Sequence, residues 1–190
     1  MGIEQLRMSM KGILSDSRYN HSIGVEEVCY DLALIYGYDT LKASIAGILH
    51  DCAKYLTSEE LIQECEGYKV IISETERKLP HLLLHAKLGA IYARERHGIT
   101  DESILKAIEF HTTGRPGMSI LEKIVYVADF IEPNRKDNIP KMDVIREVAY
   151  QDIDKAVTLI LDNTLKYINE NEMLIEPITK ETYKYYVNKK

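Results

Sequence analysis

Ser119-Ile120-Leu121-Glu122-Lys123-Ile124-Val125-Tyr126-Val127-Ala128-Asp129-Phe130-Ile131 is the stretch on which the reading of this chain turns. Ser119 followed three residues later by Glu122 is a capping box, and the apolar run after it reads as a buried helix that stops before Pro133. Inside that run sits Asp129. It follows Val125 by one turn and should therefore point inward. A carboxylate among core residues carries a heavy desolvation cost unless it is paired or binds a metal.

Helical periodicity continues in both directions from this segment. Ile3–Leu14 and Ser17–Tyr36 read as helices, the second ended by Gly37. Thr40–Leu56 reads as a third, with Ile45, Ala46, Ile48, Leu49, Ala53 and Leu56 on a broad apolar face. Thr57 with Glu60 opens a short helix to about Glu66, and Ser73 with Glu76 repeats the signal. Pro80 suits the first position of a helix to His97, closed by Gly98. Asp101–Thr112 follows, then the turn Thr113-Gly114-Arg115-Pro116-Gly117, which is flexible enough to close over a ligand. Beyond a surface loop at Asn134–Pro140 come helices at about Asp143–Tyr150 and Ile153–Asn169, and a tail helix from Thr179. The Tyr-containing run Lys184–Lys190 reads as a solvated end. No alternating runs, repeats or linkers interrupt this pattern. The expectation is one compact all-α domain over 1–190, with a functional core at about 16–135 and C-terminal helices (141–190) packed on it.

Composition narrows the function classes. The chain has 190 residues, enough for a substantial core, and its 45% hydrophobic and 28% charged content is that of a folded globular protein. A net charge of −6 argues against duplex nucleic acid as a partner, since that binding needs a basic face. Three cysteines (Cys29, Cys52, Cys65) without CxxC spacing point to reduced thiols and a cytoplasmic setting. No apolar run approaches the ~20 residues of a membrane helix, and no signal peptide is seen.

His21, the pair His50-Asp51 and Asp129 fall on three helices. On a helix, His50 and Asp51 are about 100° apart and can share one cation, with Gly47 one turn earlier leaving space beside them. Two imidazoles and two carboxylates balance a divalent ion and suit a borderline or hard cation such as Fe²⁺, Mn²⁺, Zn²⁺ or Mg²⁺. Such an ion lowers the pKa of a coordinated water, toward ~7 in the best zinc cases, and polarises a phosphoryl oxygen. Taken singly, each residue has a plainer reading as a hydrogen-bonded core His or a solvated Asp. His81 and His85, one turn apart, could by themselves suggest a second metal site.

Five blocks in order carry a resemblance. They are Arg18-Tyr19-Asn20-His21-Ser22, His50-Asp51-Cys52-Ala53-Lys54, His85-Ala86, Glu109 to Arg115, and Ala128 to Arg135. Together they resemble the HD superfamily of metal-dependent phosphohydrolases, and within it the YqeK family, which hydrolyses bis(5′-nucleosyl) tetraphosphates symmetrically. Cys52 stands where a small apolar residue is expected, and all four metal ligands are present. The resemblance implies that diadenosine tetraphosphate is cut at its central bridge to two ADP, by a metal-activated hydroxide attacking a central phosphorus. It implies His21, His50, Asp51 and Asp129 as metal ligands and places His85 at the cleft.

Asp51, Lys54, His85 and His111 are the catalytic candidates. Arg18, His21, Asp51, His85, His111, Asp129 and Arg135 are the substrate-binding ones. Lys54 supplies charge or pairs with Asp51, and the planar fork of Arg135 matches phosphate oxygens. Either Asp51 or Asp129 is placed to take the water proton, and His85 or His111 to assist the leaving oxygen. The expected partner is a small dinucleoside polyphosphate or nucleotide, with a homodimer compatible and no membrane. The rival readings are an HD nucleotidase acting on mono- or deoxynucleotides, a non-catalytic nucleotide sensor, and a structural helical protein with an incidental His-Asp pair.

Overall fold

The computed structural model describes residues 2–135 and 139–189. Among them run eleven α-helices: α1 (Ile3–Ile13), α2 (Asp16–Ile35), α3 (Thr40–Leu49), α4 (Ser58–Gly67), α5 (Glu74–Lys78), α6 (Pro80–Glu95), α7 (Glu102–Glu109), α8 (Ile120–Ile131), α9 (Met142–Ala149), α10 (Ile153–Glu170) and α11 (Pro177–Asn188). No strand is present among the described residues, so the all-α expectation holds. The three capping boxes form as read. Glu60, Glu76 and Glu122 each donate a backbone N–H to the Thr57, Ser73 and Ser119 hydroxyls at 3.3, 3.0 and 3.3 Å. The expected loop at 134–140 lies partly outside the described residues.

α2 packs chiefly against α3 and α8, and α7 joins α6 to α8. α10 lies against α8, α9 and α11, which places the C-terminal helices beside the helix that carries Asp129. The α2–α3 contact is close at Gly47. A Cβ there would stand 2.9 Å from the Glu26 Cα, so this glycine lets two backbones meet and does not open free space beside His50. Gly47→Ala therefore gains helix propensity, up to ~1 kcal/mol, but drives a methyl into a backbone that cannot yield, an overpacking cost of about 1–3 kcal/mol. A net loss of stability is expected in urea unfolding. A stabilised variant would mean that the two helices separate freely.

Two helices are shorter than their sequence patterns suggest, and for one reason. The His50 ring donates from Nδ1 to the Gly47 carbonyl at 2.7 Å, taking the acceptor that the next α-helical amide would use. The chain then turns through three-residue steps, with Cys52 N–H to Leu49 O at 3.0 Å and Lys54 N–H to Asp51 O at 2.9 Å. His111 repeats the device just beyond α7, donating from Nδ1 to Ile108 O at 2.7 Å. His50, Asp51 and His111 thus lie in buried turns at helix ends rather than within helices.

Two further expectations change. The 113–117 turn is pinned rather than free to close. Arg115 grips the buried Glu122 carboxylate with Nη2 at 2.7 Å, and Gly114 sits against Thr182 and Met118. The C-terminal run is not simply solvated, because Tyr186 is buried and Lys189 pairs with Asp154 at 2.8 Å.

Candidate metal centre

Three elements deliver the donors. His21 comes from the second turn of α2, whose N-cap Ser15 accepts the Arg18 amide at 3.3 Å. His50 and Asp51 come from the turn after α3, and Asp129 from the last turn of α8. The His21 and His50 Nε2 atoms face each other at 3.3 Å. Asp129 Oδ1 lies 3.1 Å from His21 Nε2 and 3.8 Å from His50 Nε2. Asp51 Oδ2 lies 3.9 and 3.5 Å from the same two nitrogens.

The tautomers follow from the outer bonds. His50 Nδ1 meets a carbonyl, and His21 Nδ1 meets the Glu132 carboxylate at 3.0 Å. Both partners only accept, so both Nδ1 atoms carry hydrogen, and it is each ring's Nε2 that faces inward, where a lone pair is free to ligate. Two lone pairs and two carboxylates pointing at one spot repel one another unless positive charge sits there. The donor set therefore fits a divalent cation.

The electrostatics agree. Burial alone would lower the His50 pKa, but Asp51 and Asp129 raise it above its ordinary value. Burial would push the Asp51 carboxyl up, yet His50 and His85 hold it well below the usual carboxylate range. Asp129 is likewise held low against its burial, by His21 and Arg135.

Asp51 also faces a second cluster. Its Oδ1 lies 3.2 Å from His85 Nε2 and 3.7 Å from His111 Nε2. One carboxylate thus joins two groups that could each hold a metal, His21–His50–Asp51 and Asp51–His85–His111. His81 is exposed and belongs to neither, so the His81–His85 alternative is not formed. Burial, with His50 and His85 nearby, drives the His111 pKa down to about 3. Burial lowers His85 too, against the pull of Asp51. Both rings are therefore neutral at pH 7.

Cationic side chains ring the mouth. Arg18 Nη1 reaches Asp51 Oδ2 at 2.8 Å, and Arg135 Nη2 reaches Asp129 Oδ1 at 2.9 Å. Lys54 Nζ donates to His81 O at 2.8 Å and lies 3.2 Å from His85 Nδ1; burial lowers its pKa despite Asp51. These groups open onto a cavity of about 420 Å³. Its other walls mix apolar residues, Leu79 and Leu83 before and in α6, Phe130 from α8, and Ile160 and Ile168 from α10, with the polar Thr164, Glu176 and Thr179. Arg18, Asp51, Lys54, His85, His111, Asp129 and Arg135 line this cavity, and His21 and His50 adjoin its Asp129 and Asp51 carboxylates.

The HD domain family matches residues 18–134, more than half of the chain and the stretch that carries all of these donors. The chain belongs to the HD family. Symmetrical bis(5′-nucleosyl)-tetraphosphatases from Halalkalibacterium halodurans and Bacillus subtilis are similar to this HD chain. The first is 44% identical over 92% of this chain and 91% of that protein, the second 38% over 99% of both. The enzyme of the same description from Staphylococcus aureus is 35% identical over 98% of this chain and 95% of its own length. A crystal structure from Clostridium acetobutylicum, described as a predicted HD superfamily hydrolase involved in NAD metabolism, superposes with a TM-score of 0.95. It has 39% identity and covers 100% of this chain and 99% of that one. These likenesses place the chain in the YqeK branch, and an HD domain carrying this His/Asp cluster indicates divalent-cation binding.

Two features escaped the sequence reading. Glu132, a motif residue with no role evident from spacing, is buried and bonded to His21. A signal was available, since a carboxylate at a helix C-terminus opposes the macrodipole and needs a reason. The cavity wall from α10 had no local signal, because its apolar residues look like any helix core.

Proposed function

We propose that this chain is a metal-dependent phosphohydrolase that cleaves diadenosine tetraphosphate symmetrically to two ADP. The observation that carries the proposal is the Asp51 carboxylate, shared between two imidazole pairs at the head of a cavity ringed by Arg18, Lys54 and Arg135. The descriptions of three relatives, each matched over nearly its full length, support the substrate.

His21, His50, Asp51 and Asp129 are the ligands of the primary cation in this reading. Their mixed nitrogen and oxygen donors suit Fe²⁺, with Mn²⁺, Zn²⁺ and Mg²⁺ as competitors. When bound, the cation polarises a phosphoryl oxygen and acidifies a water. Arg18 and Arg135 each present a planar fork to the equatorial oxygens of the polyphosphate, and Lys54 adds a point charge. The apolar walls receive a nucleoside.

Proton handling divides between the two outer histidines. His111 has its Nδ1–H tied to Ile108 O and a pKa of about 3, so it accepts hydrogen bonds and does not deliver a proton. His85 takes a hydrogen bond from Lys54 at Nδ1 and turns Nε2–H toward Asp51 Oδ1 at 3.2 Å. In that chain Asp51 stays ionised and orients the attacking water as a hydrogen-bond acceptor, while the Lys54–His85 pair would supply a proton to the leaving oxygen. Three buried thiols fit a reducing cytosol as the working compartment.

The test is turnover measured side by side on diadenosine tetraphosphate, ATP and AMP, with chromatography of products and anaerobic metal analysis. ADP as the sole product of the tetraphosphate is expected. Preferential phosphate release from AMP would transfer the chain to the nucleotidases. Tight binding without cleavage would make it a sensor.

A further inference from the structure

We infer that Glu132 is a positioning residue for the cation site, holding His21 in the one tautomer and ring orientation that can ligate. The inference rests on the metal reading above and concerns a residue outside the four ligands.

Glu132 follows α8 directly and is 2% exposed, so its carboxylate is buried at a helix C-terminus where the peptide dipoles disfavour it. Two bonds offset that cost. Oε1 accepts His21 Nδ1–H at 3.0 Å, and Oε2 accepts the Asn134 amide at 2.6 Å. The backbone carrying it is clamped as well, because Arg146 Nε donates to Ile131 O at 3.2 Å. A carboxylate on the far nitrogen of a ligating imidazole fixes the tautomer and raises the basicity of the near one. Here it leaves His21 Nε2 aimed at Asp129 Oδ1, 3.1 Å away, and at His50.

The opposite helix is built to admit this group. Gly24 lies on α2 one turn beyond the residue before His21, and a Cβ there would stand 2.7 Å from Glu132 Oε2 and 3.2 Å from Asn134 Nδ2. Both are ends of side chains, so an added methyl displaces the carboxylate rather than the backbone. Gly24→Ala is therefore a way to move Glu132 without deleting any polar atom, and it favours the helix that carries it.

The experiment compares wild type, Glu132→Gln and Gly24→Ala, each purified with its metal, by chelator competition. Far-ultraviolet circular dichroism and urea unfolding are run in parallel. Both variants are expected to bind the cation about 10–100-fold more weakly while keeping their helical signal. The visible ligand-field bands of the Co²⁺-loaded proteins should shift as well, which a purely structural role would not produce. Should Glu132→Gln fail to fold, Gly24→Ala decides alone. Wild type that holds a cation while the folded variants hold it within twofold as tightly overturns this inference and leaves the metal reading standing. Wild type that holds no cation overturns both.

Discussion

Asp51→Asn should lower kcat at least about 10³-fold, some 4 kcal/mol of lost transition-state stabilisation, and abolish stoichiometric metal while the helical fold survives. The reason is that Asp51 works through both oxygens. Oδ2 serves Arg18, His21 and His50, whereas Oδ1 serves His85 and His111. An asparagine has the same shape but only one oxygen. If that oxygen turns toward His50, an NH₂ group meets His85; if it turns the other way, the NH₂ replaces a ligand. Neither rotamer satisfies both clusters, and the negative charge that His50 and the cation require is gone. Steady-state kinetics with metal analysis on the folded variant checks this. Turnover above a tenth of wild type would show that one cluster suffices.

The second large effect is on stability against acid. His111 is neutral in the fold with a pKa near 3, against 6.5 for an unperturbed side chain, because burial and two neighbouring histidines oppose its charge. The unfolded chain therefore takes up this proton first as pH falls below 6.5. Stability is complete above 6.5 and declines as pH drops toward the folded value, at about 1.4 kcal/mol per pH unit for this group. His85 and His97, both lowered by burial, act in the same direction. His50, raised by its carboxylates, acts above 6.5 with the opposite sign. Asp51 and Asp129, held below the usual carboxylate range in the fold, act in the same direction as His111 from about pH 5 downward, where the unfolded carboxylates begin to take up protons, so the histidines dominate the upper part of the fall. Urea unfolding in the presence of a chelator should show a steep loss of stability between pH 6.5 and 4. His111→Gln should be less stable at pH 7.5 but shallower by about 1.4 kcal/mol per pH unit. Parallel curves for the two proteins would mean that His111 is charged in the fold.

The helices and their caps were legible in the sequence, and so were four residues, His21, His50, Asp51 and Asp129, whose side chains the fold brings together. Those features are local, or chemically costly enough to stand out: capping boxes span three residues, and Asp129 inside an apolar run demands a partner wherever it folds. Helix ends at His50 and His111 were overextended, because periodicity registers side-chain burial and not the ring that captures a carbonyl three residues back.

How these side chains face one another depends on long-range packing. The Glu132–His21 bond joins residues 111 apart in the chain, and the Arg18–Asp51 pair joins residues 33 apart. Which nitrogen of each imidazole carries hydrogen, which oxygen of Asp51 faces which cluster, and which apolar residues of α10 wall the cavity all depend on such contacts. Spacing along a chain records what a residue is able to do, but the packing of α2, α3, α8 and α10 sets the directions of lone pairs, and direction is what ligation and proton transfer require.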